Sequence, residues 1–460
     1  MKTNLSRRTF LGVAGSAGLF GLAGCKGFPA ILSCKSPNSL LSHAAVGTAN
    51  MALADLKGLM SHPKLHVTAL CDVDANFLAA AAKLCPGARL YRDAHEMFSV
   101  EGNRIDSCNV STPDHTHATY IIDALTRGLN VYGQKPLCRT VAECREVGHL
   151  AAEKGVVTQM GTQIAAHPCD RETAEFLRMG VIGEVEHVWI FSNRGGQSTA
   201  DHTWPLKASP VPTTLDWKLW LGNAPVRDYV EEYYHPTAWR RWIDFGSSWL
   251  GDLGLHLLSP IWIGMDLGRT SPLSVDADVT RESPELERQF WPRNSHVTWR
   301  MPGVKASGGK SFDIEWCDGN IVARDARPEA IDVVLGKSLG AERLAGKNPV
   351  KASMDTKYFP PSFFRKLYAK TPIGEQPLEG RVVQGSEGWL LSVHCKSSPY
   401  VVLKNGTVLS PPKVTAVPSH WHEYVNCCLE GGMPTSSFAW TGHLTEMVVL
   451  GNDAMRKCRS

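Results

Sequence analysis

Between residues 43 and 165 short apolar runs alternate with stretches of helical periodicity. Strand-like runs at 44–46, 66–71, 107–110, 130–132 and 156–160 are interleaved with helical patterns at 52–60, 76–84, 118–127 and 141–154. That rhythm predicts a parallel sheet built from crossover units. After residue 166 the pattern changes. A helix over 171–179 and a strand over 185–191 precede a loop region rich in Trp, Pro and Gly over 193–246. Later runs at 297–300, 312–316, 321–323 and 401–403 predict a mainly antiparallel sheet. The polar, Gly/Lys/Pro-rich segment 336–377 reads as a surface excursion.

The N-terminus has a different character. Ser6-Arg7-Arg8-Thr9-Phe10-Leu11 is followed by an apolar, Gly/Ala-rich stretch over 12–24, too short to span a bilayer. Residues 1–25 therefore read as a twin-arginine export signal, and Leu22-Ala23-Gly24-Cys25 resembles a lipobox whose cysteine would carry lipid. Residues 26–42, rich in Pro, Ser and Gly, read as a tether. The expected address is the periplasmic or cell-surface side of a bacterial membrane. The twin-arginine translocase is the partner during export, and a lipid anchor is expected in place of any membrane-spanning helix. Because such substrates generally fold before crossing, an exported enzyme of this kind could carry its cofactor with it.

Charge narrows the options. The chain has 48 basic and 45 acidic side chains, and Lys2, Arg7 and Arg8 lie in the signal. The remaining near-neutral body has no basic run, which argues against nucleic acid as a partner. None of the 13 cysteines forms a C-x-x-C pair, so buried thiols are expected and no metal site.

The first turn of the parallel half is Gly47-Thr48-Ala49-Asn50-Met51-Ala52. A dinucleotide site needs such a strand-to-helix turn, with backbone amides and a helix N-terminus facing the pyrophosphate. Only the first glycine of G-x-G-x-x-G is present. The second strand ends in Cys71-Asp72-Val73-Asp74, where Asp72 is placed to accept from ribose hydroxyls and to repel a 2′-phosphate, favouring NAD over the alternative NADP. Further strands end at Ser111-Thr112-Pro113-Asp114-His115-Thr116-His117 and Gly133-Gln134-Lys135-Pro136. Read alone, Lys135 serves equally as an exposed loop lysine and His117 as a capping or core histidine.

Taken together, the Cys71-Asp72-Val73-Asp74 strand end, Thr112-Pro113 with His117, Lys135-Pro136, Gly180-Val181-Ile182-Gly183-Glu184 and Asp252-Leu253-Gly254-Leu255-His256 resemble the Gfo/Idh/MocA oxidoreductase family. The run from Leu215-Asp216-Trp217 through Trp220-Leu221-Gly222 to Trp239-Arg240 resembles an exported subgroup. The resemblance implies an α/β protein with a Rossmann dinucleotide-binding domain over 43–165. It also implies a C-terminal α/β substrate domain over 166–460, with a large open, mainly antiparallel sheet through which a homo-oligomer could form. It places Gly47, Thr48, Ala49, Asn50, Met51, Asp72, Thr112, Pro113, His117, Gln134, Lys135 and Gln163 around the cofactor. Lys135 would lie between nicotinamide and substrate, with His256 as acid/base and Asp252 beside it. Imidazole chemistry suits that task near neutrality. Gln134 departs from the glutamate of many relatives.

For a carbohydrate substrate, Arg194, Trp204, Tyr234, His235, Trp239 and Arg240 are the loop candidates, through bidentate hydrogen bonds and stacking on sugar C–H faces. The leading expectation is NAD(P)-dependent hydride transfer from a secondary alcohol of a sugar, glycoside or polyol. A nicotinamide-dependent glycosidase and a non-catalytic sugar-binding protein are the alternatives.

Overall fold

The computed structural model describes residues 39–194, 206–281, 283–319, 358, 360–395 and 397–458. The signal, most of the tether, Trp204, the strand expected at 321–323 and most of 336–377 lie outside the described residues. Strand β1 (Leu41–Val46) begins two residues before the expected boundary, because Leu41 is already fully buried. From it the chain builds α1 (Met51–Met60), β2 (Leu65–Cys71), α2 (Ala75–Ala82), β3 (Arg89–Tyr91) and α3 (Ala94–Glu101). Next come β4 (Ser107–Val110), α4 (Asp114–Thr126), β5 (Asn130–Gly133), α5 (Val141–Lys154) and β6 (Thr158–Met160).

The six strands form one parallel sheet in the order β3-β2-β1-β4-β5-β6. Strand order reverses beside β1, so the C-terminal ends of β1 and β4 open a crevice at the switch point, where such sheets bind ligands. Helix α5 starts with a reciprocal capping box between Thr140 and Glu143 and ends at Gly155 in the left-handed region.

The second half begins with α6 (Pro168–Met179) and β7 (Val185–Ser192), followed by the short helix α7 (Trp217–Leu221). After α8 (Leu255–Gly264) come β8 (Ser274–Val279), α9 (Pro284–Gln289), β9 (Ser295–Met301) and β10 (Phe312–Asp318). Helix α10 (Phe364–Tyr368), β11 (Gly380–Gly385), β12 (Gly388–Val393), β13 (Tyr400–Leu403) and β14 (Val408–Leu409) complete the sheet region. The eight strands pair in the order β14-β13-β12-β11-β7-β10-β9-β8. All pairs are antiparallel except β7 with β10.

Two expectations need correcting. The described end of the segment expected to be a surface excursion is not superficial. Phe364 and Tyr368 are fully buried against Trp189, Phe191 and Val382 on the outer face of the sheet, worth roughly 2 kcal/mol of transfer free energy per side chain. The chain after the sheet also returns to the first domain. Helix α11 (His420–Glu430) packs with Leu41, Leu59 and Tyr132, and α12 (Phe438–Lys457) joins the core shared by both sheets. The cysteines behave as small hydrophobes: Cys71, Cys108 and Cys138 are buried, and no described cysteine is in a disulfide. Among the described residues, no helix is long and apolar enough to cross a membrane.

Candidate active site

Gly47 leaves β1 at φ +88°, and a Cβ there would come within 2.5 Å of the Ser111 carbonyl oxygen, so only glycine fits this turn. Ala52 lies beneath it in ordinary contact, and Ala49 is not held at positive φ. The missing second and third glycines therefore cost no strain at positions 49 and 52, and the second positive φ within the turn falls instead on Asn50, at 53°. No side chain caps the N-terminus of the ten-residue helix α1. That end faces a groove of about 730 Å³ lined by residues 47–52, Asp72, Thr112 and Pro113. An uncapped helix end beside a groove fits the pyrophosphate of a dinucleotide.

Asp72 closes the turn. Its Oδ2 accepts from the Thr48 amide at 2.9 Å and the Thr48 hydroxyl at 2.8 Å, and its Oδ1 accepts from the Asp74 amide at 2.9 Å. Burial raises its pKa, and the Asp74 and Thr48 donors act against that rise. The second domain crosses over this end of the groove. The Thr214 carbonyl accepts from the Ala75 amide and the Val73 carbonyl from the Asp216 amide, both at 2.9 Å, while His235 pairs with Asp74 at 3.0 Å. Replacing Asp72 by serine keeps an acceptor for Thr48 and removes the negative charge. The ratio of NADP to NAD dissociation constants should then fall by about tenfold or more, as measured by fluorescence titration. An unchanged ratio would mean that Asp72 does not read the ribose.

Beneath the turn lies a buried carboxylate. Asp55 of α1 accepts from the Ser111 hydroxyl and the Gln134 amide, both at 2.8 Å, from Trp421 Nε1 at 3.0 Å and from the Tyr132 hydroxyl at 3.1 Å. Burial raises its pKa, opposed by those four donors. Gln163 reaches the same group at 3.4 Å. Position 134 therefore needs an amide donor, because a glutamate there would set two carboxylates against each other. Gln134 in turn accepts from the Lys135 amide at 3.2 Å.

Lys135 points across the crevice to the second domain, where Nζ donates to the Asp252 carboxylate at 2.6 Å and to its carbonyl at 2.8 Å. Asp252 sits on a π-helical turn, Leu250–Gly254, leading into α8. Such a turn widens the helical ladder and frees carbonyls for outside partners. Arg194 and Arg240 also approach the Asp252 carboxylate, at 3.2 and 3.5 Å. Burial would raise its pKa, but Lys135, Arg240 and Arg194 together reverse that effect and hold it well below the usual carboxylate range.

His256 follows on α8, its Nδ1 buried without a hydrogen-bond partner. Burial, then the charge of Lys135 and the neighbouring His394, push its pKa well below 6.5, so the imidazole is neutral and able to accept a proton. The His394 ring lies 5.5 Å from it, centroid to centroid, with its own pKa lowered to about 3, chiefly by burial. Lys135, Arg194, Trp239, Arg240, Asp252, His256 and His394 line a solvent-open cleft of about 980 Å³. Met51, Ser111, Thr112, Trp239 and Arg240 line both this cleft and the dinucleotide groove, so the two spaces adjoin.

Comparison with known proteins agrees with this layout. Residues 41–162 match the family described as GFO_IDH_MocA, an oxidoreductase family with an NAD-binding Rossmann fold, and residues 180–295 match that family's C-terminal α/β domain. The two matches cover just over half of the chain. The chain belongs to the Gfo/Idh/MocA family. Among curated relatives, D-apiose dehydrogenase of Paraburkholderia graminis is 31% identical over 117 residues, 25% of this chain and 31% of that protein. The scyllo-inositol 2-dehydrogenase (NAD(+)) of Bacillus subtilis is 23% identical over 239 residues, covering 48% of this chain and 64% of that one. The chain spans 31% to 45% of the length of the first three curated relatives. The WlbA dehydrogenase of Bordetella pertussis, solved with NADH and UDP-GlcNAcA, shares the fold at 12% identity. That comparison covers 91% of this chain and 97% of that one, with a TM-score of 0.56.

Within this Gfo/Idh/MocA fold, most of the expected site residues gather along two adjoining spaces. Gly47, Thr48, Ala49, Asn50, Met51, Asp72, Thr112 and Pro113 line the dinucleotide groove, and Gln134, Gln163, Lys135, Asp252 and His256 line the adjoining cleft. His117 reaches that cleft too, but both of its ring nitrogens are engaged, by the carbonyls of Pro136 and Thr112, each at 2.7 Å. It braces two turns against each other. Of the loop candidates, Arg194 lines the cleft, His235 lines the dinucleotide groove, and Trp239 and Arg240 line both. Tyr234 is a correction. It is 4% exposed in an aromatic cluster with Trp217, Trp220, Trp242 and Phe245, and packs rather than binds. Asp55, His394 and the Arg194 partner Glu379 escaped the sequence analysis.

Proposed function

We propose that this protein oxidises a secondary alcohol of a sugar, glycoside or polyol. The reading rests chiefly on the convergence of Lys135, Asp252 and a neutral His256 on one cleft that adjoins the dinucleotide groove. NAD, when bound in the groove, supplies the hydride acceptor for the carbinol C–H. His256 takes the hydroxyl proton. Lys135 donates to the substrate oxygen as negative charge grows there, and Asp252 holds Lys135 in place through two contacts. Arg194, itself braced by Glu379, and Arg240 over the Trp239 ring at 4.3 Å supply donors and an aromatic face for a hydroxyl-rich ligand.

A panel of sugars, glycosides and polyols with NAD, followed by the absorbance of reduced nicotinamide, tests this reading; no turnover on any of them would count against it. With the best substrate, kcat/KM should stay level as pH falls through 6.5. An ordinary imidazole would take up a proton there and activity would drop, whereas burial and Lys135 keep His256 neutral. A descending limb centred near 6.5 would contradict that assignment.

A second reading is favoured by the pair of neutral imidazoles, His256 and His394, on one cleft. A nicotinamide-dependent glycosidase needs a second proton acceptor beside the oxidised carbon, and it would release aglycone without accumulating NADH. The non-catalytic reading rested on Ala49 and Ala52, and both leave the groove open.

We also propose export by the twin-arginine route with lipid attachment at Cys25, supported by the order of motifs in residues 1–25. Cys25→Ser should release the exported protein from the membrane fraction. Assembly of copies through the second domain's sheet is a further proposal, read directly by the mass of the native particle.

A further inference from the structure

On the outer face of the eight-stranded sheet, four side chains meet that the proposed chemistry does not employ. Cys317 of β10 stands directly opposite His296 of β9 in the antiparallel register. Glu315 lies two residues earlier on β10, so strand alternation puts all three side chains on one face. Their donor atoms, the His296 ring nitrogen, a Glu315 oxygen and the Cys317 sulfur, all lie within 4.8 Å of one another. In a tetrahedral zinc site, bonds of about 2.0–2.3 Å set donors roughly 3.5 Å apart, so closure needs only small side-chain movement.

The two Glu315 oxygens are divided between neighbours. Oε2 is 3.0 Å from His296 Nε2, and Oε1 is 2.8 Å from His187 Nε2 on β7. The His187 Nε2 atom is buried and makes no well-aligned hydrogen bond, although its ring is stacked on Trp189 at 3.8 Å. Stacking on Trp189 thus holds the His187 ring beside the carboxylate without an aligned hydrogen bond to it. Cys317 is 1% exposed, which shields the sulfur from solvent oxidants.

We propose that His296, Glu315 and Cys317 form a site for a single zinc ion, with His187 orienting Glu315 from outside the coordination sphere and solvent in the fourth position. Nitrogen, oxygen and sulfur donors together select a borderline cation such as zinc over magnesium or calcium, which take oxygen alone. The ion would tie β9 to β10 and, through Glu315 and His187, reach β7. It would act on the sheet and not on the hydride-transfer chemistry, so the site stands or falls independently of the proposed activity.

The test uses the full-length purified protein, stripped with chelator and titrated with cobalt(II), then with zinc(II). One equivalent of cobalt should give intense visible bands and a thiolate-to-metal charge-transfer band, and one equivalent of zinc should abolish both. Cys317→Ser should remove the charge-transfer band, and His296→Gln, at a more exposed ligand, should weaken cobalt affinity at least tenfold. His187→Ala should weaken it less while keeping the charge-transfer band. Absence of a thiolate band in the wild-type protein, or a band that survives Cys317→Ser, would overturn the proposal. So would one-equivalent binding that is indifferent to both His296→Gln and Cys317→Ser.

Discussion

His256→Ala is expected to slow the chemical step by about 100-fold to 10,000-fold while leaving the NAD dissociation constant nearly unchanged. The Nδ1 of this neutral imidazole has no protein partner, as is also true of His394, so its removal breaks no hydrogen bond at that atom. Asp252 and Lys135 remain paired without it. Single-turnover measurement of NAD reduction separates this loss from any change in product release. If His394 substituted for the missing base, the variant would retain activity and His256→Ala/His394→Ala would lose it. Full activity in both single variants and in the double variant would remove the proton-transfer role from this cleft.

The second large effect concerns stability beneath the active site. Gln134→Glu places a second carboxylate against the fully buried Asp55, where ionising both together is strongly disfavoured. The expected loss is on the order of 3 kcal/mol at neutral pH, read by urea denaturation. Asp55→Asn in the same chain should restore most of it, because an amide can donate to the new carboxylate. An additive pair of effects with no rescue would mean that Gln134 and Asp55 are not coupled. In this chain Gln134 is thus matched to a carboxylate on α1.

That match could not be seen along the chain. Asp55 lies in an ordinary amphipathic pattern, and it is buried because Trp421, 366 positions later, returns on α11 to cap the same pocket. The residues that were legible share a different property. Gly47, Asp72, Thr112 and Lys135 sit at or just beyond the ends of apolar strands, and Asp252 and His256 at a fixed spacing on a helix start, so local pattern marks them. His394 follows the last residue of β12, a strand whose opening glycine and mixed side chains hid it, as the glycines at both ends hid β11. Asp252 and His256 stand four positions apart, the spacing of one face of a plain α-helix. The π-helical turn that offers the Asp252 carbonyl to Lys135 depends on contacts across the crevice. The aromatic run from Trp217 to Phe245 was legible as a loop rich in rings, yet nothing local distinguished Tyr234, inside the cluster, from Trp239 at its rim on the cleft.

The structure of the protein with NAD bound is the most direct test. The nicotinamide ring should lie in the cleft bounded by Lys135, Asp252 and His256, with the pyrophosphate at the N-terminus of α1 and the adenosine ribose at Asp72. A ring found outside that cleft, or a dinucleotide that avoids the Gly47 turn, would contradict the proposed site.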